Sequence, residues 1–299
     1  MTDAEIVAIV NPLSGAGATR GVAEARVALL NARFDAARVR GSVHLTERRF
    51  HAGDLARDAV ARGTRLVIAW GGDGTINEIG TALAGTGVVL GIIPAGSGNG
   101  FASELGLPRT PEAAITTALD GRDRPIDGGE LGGRLFFNIA GIGFDAVVAE
   151  QFNLRTLGRR GMGPYVQIGL RQTFSYRALH YRIRLDDEQF ETDALLIAFA
   201  NGREYGNKIR LAPHAKMDDG KLEAMVVADR GPLSRLWCGR HLALGTADRA
   251  AGVVKRSIES AEIDCDGEMP YHLDGEIGRM RGPITVRILP KLLTVRVPR

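Results

Sequence analysis

Residues 67–78 read Val-Ile-Ala-Trp-Gly-Gly-Asp-Gly-Thr-Ile-Asn-Glu, an apolar run that passes through a glycine turn into a helical pattern. The apolar residues 66–69 predict a buried strand, and the helical pattern begins at Thr75. A helix N-terminus behind such a turn offers bare backbone N–H groups and the positive end of its dipole to an anion. We expect the glycines to supply positive φ angles and to let a phosphate approach the backbone closely. Asp73 lies at the tip, where a carboxylate is placed to meet a metal ion or a reacting hydroxyl group.

The same turn also has a purely structural interpretation. Asp73-Gly74 is a common turn pair, and Thr75 with Glu78 fits a Thr-x-x-Glu capping box, which requires no ligand. The ligand-binding interpretation is favoured because two more glycine loops are predicted on the same edge of the sheet.

Both of these loops follow short buried strands. Residues 5–10 predict a strand that ends at the loop Asn-Pro-Leu-Ser-Gly-Ala-Gly, residues 11–17, and residues 88–93 predict a strand that ends at Pro-Ala-Gly-Ser-Gly-Asn-Gly, residues 94–100. Strands that alternate with helices through short glycine connections predict a parallel α/β sheet, whose ligands bind at the carboxyl ends of the strands. No Walker motif occurs, and Ser97 lacks the flanking glycines of a hydrolase nucleophile elbow.

Length and composition limit the class of protein. With 299 residues, the chain is long enough for two domains. A net charge of +3 suits phosphate ligands or an anionic membrane surface, but it is too weak to indicate nucleic acid. Cys238 and Cys265 form neither a metal-binding spacing nor a disulfide framework, which suits the cytoplasm. The acidic start is unlike a signal peptide and no apolar run could span a bilayer, so we expect a soluble protein, at most peripheral to a membrane.

The pattern of elements predicts two domains. Residues 1–125 read as the α/β domain that carries the glycine loops, and residues 126–299 read as a β-rich domain, sandwich or barrel-like. One β run covers residues 135–140, and the tail contains two predicted strands, residues 284–289 and 292–297. The sequence leaves open whether the last strand returns to the first domain.

Ordered sequence blocks carry a resemblance to a known family. In the first half these are Asn11-Pro-x-Ser-Gly, Gly71-Gly-Asp-Gly-Thr-x-Asn-Glu78 and Pro94-Ala-Gly-Ser-Gly-Asn99; in the second half they are Asn138-Ile-Ala-Gly-Ile-Gly-Phe-Asp145, Ala200-Asn201-Gly, Asp218-Asp-Gly-Lys-Leu222 and Asp274-Gly-Glu276. In this order and spacing, the blocks resemble the diacylglycerol kinase/sphingosine kinase family of lipid kinases over nearly the whole chain. The resemblance implies an α/β domain of the NAD kinase/diacylglycerol kinase type with a parallel sheet, followed by a C-terminal β-sandwich domain for the lipid substrate.

The resemblance also implies an activity, namely ATP- and Mg²⁺-dependent transfer of the γ-phosphate to a hydroxyl group of a lipid such as diacylglycerol or a sphingosine-like molecule. The implied nucleotide contacts are Asn11, Ser14, Gly15, Gly71, Gly72, Gly74, Thr75, Gly96, Ser97 and Asn99. Asp73 would act near the γ-phosphate through Mg²⁺. Glu276 matches the residue proposed as general base in bacterial diacylglycerol kinases. In sphingosine kinases that role is assigned instead to the acid that matches Asp73, so both residues are candidates for the base.

Two further sites are implied by the resemblance. In soluble bacterial relatives a regulatory Mg²⁺ is held by one Asp side chain and two backbone carbonyls, which here are those of Asp219, Lys216 and Lys221. Oxygen ligands suit this hard cation, although a plain surface β-turn is an equal alternative. Asp145 matches an acid that faces the lipid head group in sphingosine kinases, or it caps the helix that follows it.

One departure from the family pattern lies in the third loop. Gly100 stands where bacterial diacylglycerol kinases usually carry Asp, so the resemblance does not identify diacylglycerol as the acceptor. Gly100 also keeps open the alternative that the protein is a regulator that binds nucleotide or lipid and has lost catalysis. NAD kinase shares Gly-Gly-Asp-Gly but is less favoured, because its Thr-Pro-Thr-Gly-Ser block is absent.

Basic and aromatic residues interleave over residues 152–184 and 233–244, within which we predict helices over residues 164–174 and 233–244. Such a composition suits contact with the anionic inner face of a membrane, although solvated basic faces are the usual explanation. The expected partners are therefore ATP, a lipid and a membrane surface, without nucleic acid. Whether the chain forms a homodimer stays open.

Overall fold

The computed structural model describes residues 6–15, 20–144, 146–148, 150, 176–206, 209–231, 234–235, 237, 240–241 and 252–299. The chain divides into two compact units. Unit 1 contains Met1–Ile126 and Lys291–Arg299, and unit 2 contains Asp127–Pro290. Among the described residues, no helix has the length and apolar character needed to cross a bilayer.

Unit 1 is built on a parallel sheet. Its elements in chain order are β1 (Ile6–Val10), α1 (Arg20–Ala37), β2 (Gly41–Leu45), α2 (His51–Ala61), β3 (Leu66–Gly71), α3 (Asp73–Leu83), β4 (Val89–Pro94), α4 (Gly100–Glu104) and α5 (Pro111–Asp120). The strand order is β2-β1-β3-β4, and every pair in it is parallel. The predicted parallel α/β sheet is confirmed, and the carboxyl ends of its strands meet at one edge.

The end of the chain adds one more strand to this sheet. A long strand (Ile284–Val297) begins in unit 2 and ends in unit 1, where Thr294 pairs in parallel with Val89. The last strand therefore returns to the first unit, a point that the sequence leaves open. It is also one continuous strand, so the prediction of two separate tail strands is wrong.

Strand and helix residues share the hydrophobic core of unit 1. All six residues of β3 are buried, as expected of a strand covered on both faces. Leu30 and Phe34 of α1 and Ile115 of α5 pack into the same cluster as Ile68 of β3. Burial of each side chain of this size contributes about 1.5–3 kcal/mol to the stability of the fold. The strands that carry the glycine loops are therefore firmly packed.

Unit 2 is antiparallel, which confirms the predicted β-rich half. Its strands are β5 (Arg122–Leu131, beginning in unit 1), β6 (Arg134–Phe136), β7 (Ile139–Gly143), β8 (Leu179–Leu185), β9 (Glu188–Ala200), β10 (Glu204–Gly206), β11 (Ile209–Arg210), β12 (Leu222–Ala228), β13 (Val253–Ile258), β14 (Ser260–Cys265), β15 (Glu268–Leu273), β16 (Glu276–Arg281) and the long C-terminal strand, β17. Neighbouring strands in the sheet follow the order β16-β15-β7-β9-β8-β14-β17, and β12 pairs with β9 and β13. The core of unit 2 includes the fully buried rings of Phe136, Tyr181 and Phe199.

The run predicted over residues 135–140 is not one strand. It divides into β6 and β7, because the backbone N–H groups of Phe137 and Asn138 donate to the carboxylate of Asp274 instead of to a neighbouring strand. The helix predicted over residues 164–174 lies outside the described residues, and the one predicted over residues 233–244 is described only in part.

Candidate functional site

The first glycine loop of unit 1 is tied to the second by one side chain. The backbone N–H of Asn11 donates to the carbonyl of Trp70 at 2.9 Å, and its amide Nδ2 donates to Thr75 Oγ1 at 2.9 Å. Its Oδ1 accepts the N–H of Leu13 at 2.9 Å, which turns the chain just after β1. Asn11 therefore holds the ends of β1 and β3 and the first turn of α3 together.

The second loop starts its helix earlier than predicted. Helix α3 begins at Asp73, with Gly72 as the extended N-cap residue and no side-chain capping bond. Thr75 therefore lies inside the first turn, where its hydroxyl accepts the bond from Asn11. The capping-box interpretation of Thr75 and Glu78 is wrong, because that pattern requires Thr75 at the N-cap.

The glycines of the second loop act through their small size. The described backbone has no positive φ angle at Gly71, Gly72 or Gly74, so the prediction of left-handed glycines in this turn is wrong. A Cβ atom on Gly96 would lie 2.9 Å from the Cα of Gly72, closer than real Cβ atoms come. Glycine is required here because the second and third loops touch backbone to backbone.

The third loop is closed by its own asparagine. Asn99 Oδ1 accepts the N–H of Gly96 at 2.7 Å, and Asn99 Nδ2 donates to the carbonyl of Gly96 at 2.7 Å. Asn99 is also left-handed, with φ of 49°. Ser97 lies exposed at the tip of this closed loop. The asparagine thus shapes the loop, while the serine hydroxyl is the accessible group.

Asp73 lies where the second and third loops meet. Its Oδ1 atom is buried, and a Cβ atom on Gly98 would be 3.1 Å from its Oδ2 atom. The first loop reaches the third as well, because the Cβ position of Gly15 lies 2.9 Å from the carbonyl oxygen of Ala95. The structure therefore brings the predicted residues of unit 1 together at one sheet edge, around one carboxylate and the N-terminus of α3.

Arg26 of α1 contacts the first glycine loop at this edge of the sheet, and the sequence did not indicate this contact. Its guanidinium donates to the carbonyl of Asn11 at 2.9 Å and to the carbonyl and hydroxyl oxygens of Ser14 at 2.8 and 3.0 Å. It also lies over the Trp70 ring, 5.4 Å from the centroid. Burial lowers the pKa of Arg26 from its usual value. No motif could have revealed this contact, because its partners lie 12 and 15 residues away in a different element.

Glu276 of unit 2 is held by an arginine. It opens β16 directly after a two-residue turn, and its Oε2 accepts Nη2 of Arg134 at 3.1 Å. The same guanidinium donates through Nη1 to the hydroxyl of Tyr271 at 2.7 Å and lies over that ring. The carboxylate is half-buried, and the bond from Arg134 holds it in one orientation.

The neighbouring Asp274 has a structural role. Its carboxylate accepts the backbone N–H groups of Phe137, Asn138 and Ile139 at 2.8, 3.0 and 3.0 Å. Its φ of 50° places it in the turn between β15 and β16. Asp274 therefore builds the turn, and its carboxylate oxygens hold the start of β7.

The predicted metal residues occupy an exposed turn before β12. Asp219 Oδ1 accepts the N–H of Lys221 at 3.2 Å, and Lys216 is exposed nearby in the chain. Beneath the turn, the buried Asp127 accepts the N–H of Gly220 through Oδ2 at 2.7 Å, a support that the sequence did not indicate. No cluster of three or more His, Cys, Asp or Glu side chains within the described part of the chain could hold a metal. A cation at this turn would depend on one carboxylate and on carbonyls, a donor set that fits Mg²⁺.

The predicted lipid contact, Asp145, lies outside the described residues. In the partly described segment after β12, Arg235 makes a part-buried ion pair with Asp229 through bonds of 2.9 and 2.7 Å. That hydrogen bonding holds the pKa of the Asp229 carboxyl below its usual value and raises the pKa of Arg235. Trp237 is half exposed, with Arg240 over its ring at 5.3 Å.

Comparison with known proteins identifies the family. Residues 5–131 match the family model described as the diacylglycerol kinase catalytic domain, and residues 138–297 match the YegS C-terminal NAD kinase beta sandwich-like domain. The second match alone covers more than half of the chain. Together these descriptions confirm the predicted fold, an α/β domain followed by a β-sandwich.

Relatives and solved structures agree with this assignment. A protein of Chromohalobacter salexigens named "Probable lipid kinase YegS-like" is 34% identical over 226 residues, 74% of this chain and 73% of that protein. A diacylglycerol kinase of Mycobacterium tuberculosis is 33% identical over 298 residues, 94% of each chain. A crystal structure of a diacylglycerol kinase from Bacillus anthracis shares the fold, with a TM-score of 0.72, 21% identity and coverage of 99% of this chain and 98% of that chain. The chain belongs to the diacylglycerol kinase/YegS family of lipid kinases, phosphotransferases with an alcohol group as acceptor.

Proposed function

We propose that this chain transfers the γ-phosphate of ATP to a hydroxyl group of a membrane-derived lipid, with Mg²⁺ as the activating ion. The observation that carries the proposal is the interlocked set of three glycine loops around Asp73 at the carboxyl edge of the parallel sheet. Residues 1–125 would form the nucleotide domain and residues 126–299 the lipid domain.

The loops are suited to a polyphosphate. Phosphoryl transfer depends mainly on positioning and on donors that stabilise charge on the phosphate oxygens. The backbone N–H groups at the start of α3 supply such donors, and the close loop contact at Gly72 and Gly96 leaves that backbone free of side chains. Ser97 adds an exposed hydroxyl, and the side chains of Asn11 and Asn99 keep the loops in shape.

The two acids receive different roles in this proposal. Asp73 lies in the first turn of α3 between the loops, so we assign it to the phosphate side of the reaction, next to the metal. Glu276 is oriented by Arg134 and is assigned as the group that accepts the proton of the lipid hydroxyl. The opposite assignment, with Asp73 as the base, is tested by Glu276→Gln, because that variant would then keep the wild-type kcat.

Magnesium would have two places in this scheme. At the nucleotide, a bound ion would neutralise charge on the phosphate oxygens, and Asp73 would be the residue that holds it. At the turn before β12, Asp219 and the carbonyls of Lys216 and Lys221 would hold a second, regulatory ion. The buried Asp127 supports that turn through Gly220.

Access to the lipid would come from a peripheral membrane contact of a cytoplasmic protein. Trp237, Arg240 and His241 lie at helical spacing, with the indole half exposed and its ring in contact with both neighbours. An exposed tryptophan beside cationic groups suits the head-group region of an anionic bilayer.

A screen over extracted lipids with γ-labelled ATP and Mg²⁺ tests the function, with products identified by mass spectrometry. We expect one lipid class to gain a phosphate and EDTA to abolish the reaction. Phosphorylation of NAD and of no lipid would establish the NAD kinase alternative instead. Tight ATP binding with no turnover on any lipid would indicate a regulator that has lost catalysis, an alternative that Gly100 in the third loop keeps open.

A further inference from the structure

We infer that Arg26 is a positioning residue for nucleotide binding, acting through the backbone of the first glycine loop. The inference rests on the proposed function, because it concerns the affinity for ATP. Arg26 lies on α1, and neither the glycine motifs nor the family blocks include it.

The geometry is that of a fork around one turn. Nη1 donates to the Asn11 carbonyl at 2.9 Å and to Ser14 Oγ at 3.0 Å, while Nη2 donates to the Ser14 carbonyl at 2.8 Å. The Ser14 hydroxyl in turn donates to the carbonyl of Asn11 at 2.8 Å. Arg26 thus fixes two carbonyl oxygens, with the chain between them held in one conformation.

Fixing these carbonyls has a consequence for the other two loops. Asn11, at one end of the fork, donates to Thr75 in the first turn of α3. Gly15, just beyond the other end, lies against the carbonyl of Ala95 with no room for a Cβ atom. A shift of the first loop would therefore disturb both of its neighbours. A misplacement of about 1 Å in the groups that position a substrate can lower the reaction rate by a factor of about 100.

Lysine should not replace Arg26 in this role. A guanidinium has a rigid fork of donors and can bond both carbonyls and the hydroxyl at once, whereas an ammonium is a single point on a flexible stem. The Trp70 ring, 5.4 Å away, also suits a planar cation. If charge alone mattered, lysine would restore function.

The test compares Arg26→Met and Arg26→Lys with the matched control Arg33→Met. Arg33 lies two turns further along α1 and makes no hydrogen bond or ion pair with the residues that the structure describes. The measurements are the Kd for ATP, the KM for ATP and for the lipid, kcat, and the thermal midpoint. We expect both Arg26 variants to raise the Kd and KM for ATP at least about tenfold, with the lipid KM and the control unchanged.

Two results would overturn the inference. A purely structural role would lower the thermal midpoint and the fraction of active enzyme, and so kcat, while the Kd and KM for ATP stayed at their wild-type values. Full rescue by Arg26→Lys would show that charge, and not the fork, is what the loop needs. Failure of the proposed function is a separate result, because then the wild-type chain itself would phosphorylate no lipid.

Discussion

The turn of unit 1 that holds Asp73 and the turn of unit 2 that holds Asp274 and Glu276 look alike in the sequence but differ in construction. Both follow a buried strand and pair an acid with glycine. In unit 1 the glycines permit close backbone contact, and the acid lies in the first turn of a helix. In unit 2 the acid itself adopts the left-handed conformation, and its carboxylate is taken up by three backbone N–H groups.

The difference separates an acid with a structural role from an acid that we propose to act in the reaction. A carboxylate that accepts several backbone N–H groups stabilises its loop, because removal of the carboxylate leaves those buried donors without partners. Glu276, two residues further on, is instead oriented by a side chain, Arg134. The short block Asp274-Gly-Glu276 therefore contains one acid that builds the turn and one that the turn presents.

The largest effect that sharpens this comparison is expected for Glu276→Gln. If the turn presents Glu276 for proton transfer, the amide variant should lose about 1,000-fold in kcat with an unchanged unfolding midpoint. A rate assay with γ-labelled ATP and the lipid found in the screen measures the loss. Glu262→Gln is the matched control, since Glu262 also pairs with an arginine, Arg184, at 2.8 Å. Equal rates for the two variants would contradict a role for Glu276.

Asp274→Ala should show the opposite behaviour, with stability as the main loss. Removing the acceptor of three backbone N–H groups should lower the free energy of unfolding by about 3 kcal/mol, measured by urea denaturation. Asp186→Ala is the control, because Asp186 also has a positive φ of 48° and accepts N–H groups, but on an exposed turn. An equal loss of stability in the control would contradict the special structural role of Asp274.

Gly96→Ala tests the statement that unit 1 uses glycine for close contact. The added methyl group would lie 2.9 Å from the Cα of Gly72, which should cost about 2 kcal/mol of stability and weaken ATP binding. Gly21→Ala on α1 is the control, since its Cβ position has open space and alanine should stabilise the helix by up to about 1 kcal/mol. Denaturation together with ATP titration checks both outcomes, and a neutral Gly96→Ala would show that the loops do not touch.

Arg134→Met should give the smallest effect, because it acts on Glu276 indirectly. With the ion pair removed, the carboxylate is less well oriented, and kcat should fall about tenfold with an unchanged KM for ATP. Arg184→Met, which removes the partner of Glu262, is the control and should leave kcat unchanged. A wild-type kcat in Arg134→Met would limit this arginine to packing against Tyr271.

Much of the framework could be predicted because local patterns encode it. Apolar runs that end in glycine loops placed β1, β3 and β4 in order, and their parallel pairing followed from the alternation with helices. The start of α3 was harder to predict than the strands, because Thr75 and Glu78 fit a capping box that the helix does not use. The chain itself contains two competing helix starts, and the contact of Thr75 with Asn11, 64 residues away, favours the earlier one.

The partners of the site residues could not be predicted, because tertiary packing sets them. Arg134 meets Glu276 across 142 residues of sequence, and Asp274 meets Phe137 across 137. Arg26 meets Ser14 only because α1 packs back on the end of β1. The motifs therefore indicate the candidate site residues, while the residues that orient those groups depend on the register of the fold.

Single-turnover transfer from γ-labelled ATP by Asp73→Asn tests the central claim most directly, namely that the glycine loops around Asp73 carry out phosphoryl transfer. With ATP and lipid saturating, we predict a rate at least about 1,000-fold below wild type, with ATP still bound and the unfolding midpoint unchanged. Asp58→Asn, at an exposed acid on α2, should keep the full rate. Wild-type transfer by Asp73→Asn would contradict the claim.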